Sequence, residues 1–202
     1  MATLLVATNN PGKIREFREL LAVLPVTVTF PEERGLILEV AETGCSFEEN
    51  ARIKATAYAG ATGLVTLADD SGLEVDALGG APGIWSARYA GANASDADRV
   101  RKVLSALANV PAGRRTARFR CVVALADPQG GVLTAEGACE GEIGLSPRGD
   151  NGFGYDPIFV VHGQRGLTMA ELPPDLKNQI SHRARALVAA REILAGLLPQ
   201  GT

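Results

Sequence analysis

The chain has 202 residues, 46% of them hydrophobic, enough for one substantial core or for two lobes around a cleft. A formal net charge of −3 with no long basic run argues against a nucleic-acid-binding role, and no apolar run reaches the ~18 residues of a membrane-spanning helix. Three widely spaced cysteines, Cys45, Cys121 and Cys139, contain no Cys-x-x-Cys pair, so reduced and buried thiols of a cytosolic protein are expected.

Met1 leads directly into a strand-like Thr3 to Ala7 without a charged leader, so no secretory signal is expected. Thr8-Asn9-Asn10-Pro11-Gly12-Lys13 then opens a helix predicted from about Lys13 to Leu24, with Ile14, Phe17, Leu20 or Leu21, and Leu24 at helical spacing. Backbone N–H groups of that loop, the helix N-terminus and the Lys13 ammonium together make an anion site. It is not a Walker A loop, because it has one glycine and isoleucine follows the lysine. An ordinary strand-to-helix turn has the same composition.

Val26 to Phe30 is a second strand candidate. Ser46 with Glu49 reads as a capping box for a helix running to about Ala61. On it, Asn50 and Lys54 are four apart and share a face, while Glu48 and Arg52 read as a surface ion pair. Glu42, just before the helix, is a candidate oxygen ligand for a metal. Val65 to Ala68 reads as a short buried strand ended by Gly72, immediately after Asp69 and Asp70. Two neighbouring carboxylates repel unless a cation joins them, and magnesium shared with a phosphorylated ligand satisfies that need. Asp-Asp-Ser-Gly is equally good turn chemistry.

Ser95 and Asp98 repeat the capping signature ahead of an apolar stripe of Val100, Val103, Leu104 and Leu107. Ala117 to Ala126 and Val132 to Ile143 are β-rich runs joined by Asp127-Pro128-Gln129-Gly130-Gly131, a hairpin turn. Ser181 caps a final helix with Leu187, Val188, Leu194 and Leu198 on one side. Strands mixed with helices, with at least one hairpin, predict a mixed-sheet α/β protein. Lysine stands at only four positions (13, 54, 102 and 177) among 20 basic residues, and three of them lie in motif-bearing stretches.

Taken in order, Thr8 to Lys13, Glu42 to Ala55, Ala68-Asp69-Asp70-Ser71-Gly72, Leu78 to Tyr89, Phe153-Gly154-Tyr155-Asp156-Pro157 and Ser181-His182-Arg183 resemble the inosine triphosphate pyrophosphatase family. The resemblance spans nearly the whole chain. It implies a single domain over residues 1–202, an elongated two-lobed mixed α/β structure with a central cleft, of the anticodon-binding-like or Maf-type superfold. It also implies a cytoplasmic homodimer that cleaves dITP, ITP and XTP between the α and β phosphates.

By the same resemblance, Asp70 is the proton acceptor and a magnesium ligand, Glu42 is the second ligand, and one or more magnesium ions bind each subunit. Asp69 binds the ion through water or orients its neighbour. Thr8, Asn9, Asn10, Pro11, Gly12 and Lys13 hold the triphosphate with Lys54 and Lys177, and Ser71 contacts substrate beside the base. Phe153, Gly154 and Tyr155 face the purine, Asp156 accepts from its ring N–H, and His182 and Arg183 donate to a six-oxo oxygen that adenine lacks. His162 is assigned to a surface loop, Trp85 to a structural role, and Arg88 to a buried or interfacial pairing. A pyrophosphatase for pyrimidine or methylated nucleotides, and a non-catalytic nucleotide sensor, are the competing readings. A substrate panel separates the first, and turnover separates the second.

Overall fold

A computed structural model describes residues 2–197. Six strands form one mixed sheet in the order β2-β1-β3-β4-β5-β6: β1 is Thr3–Val6, β2 Thr27–Thr29, β3 Val65–Val75, β4 Thr116–Ala126, β5 Val132–Ile143 and β6 Phe159–Val161. β1 lies parallel to both β2 and β3, whereas β5 and β6 are antiparallel. The helices are α1 Pro11–Leu21, α2 Phe47–Thr62, α3 Asp96–Ala106, α4 Pro174–Ile180, α5 His182–Ala189 and α6 Arg191–Leu197.

The chain divides into two compact units. The first holds residues 2–70, 121–137 and 183–197 of the described chain, and the second 71–120 and 138–182. Each has its own core. In the first, Leu4, Val6, Phe17, Leu21, Phe30, Leu67, Val123, Leu125 and Leu194 bury the amphipathic face of α1 against β1 and β3. In the second, Leu73, Val75, Val100, Val103, Leu107, Phe119, Tyr155, Ile158 and Phe159 bury the stripe of α3.

Most of the expected elements form, with boundaries shifted by a few residues. The Ser95–Asp98 capping box closes in both directions, and Asp127 Oδ1 accepts from the N–H groups of Gln129 and Gly131 to shape the hairpin turn. Four expectations need correction. β3 does not end at the acids: it runs through Asp69, Asp70 and Gly72 to Val75, because pairing in the sheet overrides one glycine and a turn-like tetrapeptide. The Ser46 box is half made: Ser46 Oγ accepts from the Glu49 N–H, but the Glu49 carboxylate turns to the Cys45 N–H. The C-terminal helix is assigned as α5 and α6, although Leu194 N still donates to Ala190 O; Val188 is exposed, and Leu198 lies outside the described residues. Cys45 is exposed, unlike Cys121 and Cys139. Among the described residues, no helix is long and apolar enough to cross a membrane.

Candidate active site

In the first unit, β1 delivers the Thr8–Lys13 loop beside the acid pair, since Ala7 N donates to Leu67 O at 2.7 Å. Asn10 caps α1: its Oδ1 accepts from the Lys13 N–H at 3.1 Å, and Pro11 begins the helix where no N–H is needed. Asn9, Asn10 and Pro11 are exposed, so the loop backbone meets solvent.

Because β3 continues through them, Asp69 and Asp70 project to opposite faces of the strand. The repulsion expected of adjacent acids is thereby relieved by alternation. Asp69 Oδ2 receives Lys13 Nζ at 2.9 Å and Arg183 Nη2 at 3.0 Å, and Cys121 Sγ lies 3.8 Å away. Arg183, 1% exposed, also pairs with Glu16. Burial disfavours the charged form of Asp69, but Lys13, Arg183 and Lys54 outweigh it and hold the carboxyl far below the usual range. Burial, reinforced by Asp69, pushes the Cys121 thiol up to about 12 and keeps it protonated.

Asp70 has a different set of neighbours. Its Oδ2 accepts from Asn50 Nδ2 at 3.0 Å, and Asn50, fully buried, also accepts from the Gly44 N–H at 2.8 Å. Lys54, one turn further along α2, bridges Glu42 Oε1 and the Asp69 carbonyl, each at 2.6 Å. Burial raises the Asp70 carboxyl and Glu42 adds to the rise; Lys54, Lys13 and the Asn50 bond pull the other way without cancelling it. Burial lowers the Lys54 ammonium, but Asp69, Asp70 and Glu42 overcome this and leave it above its ordinary value.

Among the described residues no three His, Cys, Asp or Glu side chains cluster as a protein-only metal cage. Magnesium rarely uses one; it takes one or two carboxylates and completes its shell with water and substrate phosphates. Glu42 and Asp70 are hard oxygen donors held by Lys54 and Asn50, four apart on one face of α2, so the residues present fit that ion.

The second unit carries the remaining expected residues. Ser71 follows Asp70 on β3. Lys177 Nζ bonds Asp156 Oδ2 at 2.5 Å, the Phe153 N–H donates to the same oxygen at 2.9 Å, and the ammonium lies 5.2 Å from the Phe153 ring centroid. Phe153 keeps partial exposure, whereas Tyr155 is a core residue whose hydroxyl donates to Ser86 O at 2.9 Å. Gly154 N donates to Asp96. His182 stacks on Phe119 at 4.8 Å between centroids. Arg88 lies 4.3 Å over the half-exposed Trp85 ring, and His162 is exposed as expected.

Residues outside the expected set therefore enter these clusters, among them Asn50, Glu16, Cys121 and Gly152. A Cβ on Gly152 would meet Asp156 Oδ2 at 2.0 Å with φ at +80°, so only glycine fits beside that pair. Asn50 was legible as a polar residue sharing a helix face with Lys54. Glu16 was not, because its partner lies 167 residues away.

The Ham1 family model matches residues 4–193. The chain belongs to the Ham1 family. It is 50% identical to the dITP/XTP pyrophosphatase of Shouchella clausii over 99% of this chain and all of that protein, and 52% identical to that of Geobacter sulfurreducens over 96% and 97%. Among solved structures, a HAM1 protein from Coxiella burnetii superposes with a TM-score of 0.86 at 46% identity, covering 97% of this chain and 100% of that one. A nucleoside-triphosphatase, dITP/XTP pyrophosphatase, from Mycobacterium abscessus gives 0.75 at 45% identity, covering 93% and 97%. Ham1 membership accords with the mixed α/β architecture and the six-stranded sheet.

Proposed function

We propose that this chain hydrolyses non-standard purine nucleoside triphosphates, dITP, ITP and XTP among them, to the monophosphate and pyrophosphate, clearing them before they enter DNA or RNA. In this reading residues 1–202 act as one catalytic domain, in the cytoplasm and as a homodimer. Relatives near 50% identity that bear the dITP/XTP pyrophosphatase name support it. The observation that carries it is the unequal fate of two adjacent acids: Asp69 is paired with the internal cations Lys13 and Arg183, while Asp70 accepts from the neutral amide of Asn50.

Asp70 takes the proton of the water that attacks the α-phosphorus. The bond from that phosphorus to the bridging oxygen breaks, and pyrophosphate leaves. Lys13, Lys54, Lys177 and the Thr8–Gly12 backbone hold the phosphates and take up charge on the leaving group. Magnesium, held by Glu42 and Asp70, would supply positive charge to the triphosphate oxygens. Asp69 fixes Lys13 by its 2.9 Å pair, and Ser71 contacts substrate beside Asp70. Phe153 is the aromatic face for the base, with Gly154, Tyr155 and Asp156 shaping its loop. His182 supplies a donor to the six-oxo oxygen, where an adenine amino group leaves a donor facing a donor, and Arg183, buried between Asp69 and Glu16, anchors the start of α5 beside it.

Pyrophosphate release measured with dITP, XTP, dATP and dGTP tests this reading. The expected result is kcat/KM for dITP above that for dATP by about 100-fold or more, the discrimination available to a site that hydrogen-bonds the distinguishing group. Equal turnover of all four, or none, contradicts it.

A further inference from the structure

We propose that Asn50 is a positioning residue that holds the Asp70 carboxylate and the loop carrying Glu42 in one arrangement. This inference rests on the reading above and deepens it.

Asn50 has no exposed surface, and its two amide atoms face in two directions. The oxygen accepts from Gly44 N at 2.8 Å, two residues beyond Glu42; the nitrogen donates to Asp70 Oδ2 at 3.0 Å. A buried amide that satisfies both ends fixes both partners, since losing either bond strands a polar group away from water. The approach of the loop is correspondingly close. A Cβ on Gly44 would stand 2.8 Å from Asn50 Oδ1 and 2.6 Å from Glu49 Cβ, so the loop reaches this amide only with glycine there.

Asn50 sits on α2, whose N-terminus is secured by the Ser46 Oγ bond to Glu49 N. One turn along the same face, Lys54 bonds Glu42 Oε1 and the Asp69 carbonyl. Residues four apart on a rigid helix therefore hold the two carboxylates, Asn50 through Asp70 and Lys54 through Glu42. An amide suits the Asp70 side of this arrangement, because it donates to the carboxylate without adding charge and its rotamer is locked by Gly44. A carboxylate at position 50 keeps the acceptor for Gly44 but sets oxygen against oxygen at Asp70. Outer partners of this kind typically change metal affinity or activity by about 10–100-fold when removed.

The test uses Asn50→Ala and Asn50→Asp in the full chain, with dITP turnover, melting temperature, and manganese(II) affinity of the nucleotide-free protein by electron paramagnetic resonance. Asn50→Ala is expected to lower kcat about tenfold or more with KM within about threefold, and to weaken manganese binding about tenfold, while the protein stays folded. Asn50→Asp, which keeps the size and the Gly44 acceptor, is expected to lower kcat at least as far and guards against a truncation that fails to fold. A folded Asn50→Ala with kcat and manganese affinity within about twofold of native, whatever its melting temperature, overturns the inference. So does a folded Asn50→Asp with native kcat. If the native protein turns over no nucleotide, the pyrophosphatase reading falls, and the manganese comparison still decides the role of Asn50 by itself.

Discussion

At the residue scale, adjacency in sequence turned out to mean separation in space. Asp69 and Asp70 lie on opposite faces of β3, so one joins an internal charge cluster and the other meets the buried Asn50 amide. Asp69 stands between Lys13 and Arg183, both it and Arg183 being 1% exposed, and Arg183 reaches on to Glu16. Removing one partner of such a cluster leaves buried charge uncompensated, at a cost of about 3–5 kcal/mol. Asp69→Asn is therefore expected to lower the melting temperature by roughly 6–20 °C, read by calorimetry; a shift under about 2 °C would mean the cluster relaxes freely. The pH dependence has a definite sign. Because the Asp69 carboxyl is depressed by folding, its contribution is complete above the ordinary unfolded value of about 3.9 and is lost as pH falls toward the lower folded value. The variant should lose less stability than native protein on acidification below about pH 4.

At the element scale, what could be read in advance was what local chemistry decides. The stripe of α3, its closed Ser95–Asp98 box and the Asp127 turn all formed as spacing predicts. Ser95→Ala is expected to cost about 1 kcal/mol in urea unfolding, and no measurable loss would mean the cap is replaced by water. What could not be read was set by distant partners. Ser71 to Val75 look like the exit from a turn, yet they are strand because the sheet supplies hydrogen bonds. β6, three residues long, has no pattern of its own and exists by pairing with β5. The loop at Gly152 to Asp156 is governed by the same logic: Asp156 gathers the Lys177 ammonium and the Phe153 N–H into a space that admits no Cβ. Gly152→Ala should therefore raise KM for dITP by about tenfold or more, with a smaller effect on kcat, in steady-state kinetics. An unchanged KM would detach this loop from the substrate. Asn50 and Lys54 were legible as one face of α2, but only the fold revealed what that face holds.

At the scale of the whole molecule, the charges at the site are balanced by the protein's own cations, Lys13, Lys54 and Arg183, and this separates stability from activity. Removing divalent metal with EDTA is expected to stop dITP hydrolysis while moving the melting temperature by less than about 2 °C, since little binding energy is linked to folding. A large drop in melting temperature would make the ion structural. In the proposed mechanism hydrolysis turns on Asp70, and the decisive comparison is pyrophosphate release from dITP by native protein and by Asp70→Asn. Asparagine keeps the shape and can accept no proton, so selective turnover by the native chain and a kcat at least about 100-fold lower in the variant are expected. A variant that retains kcat within about tenfold of native would contradict it.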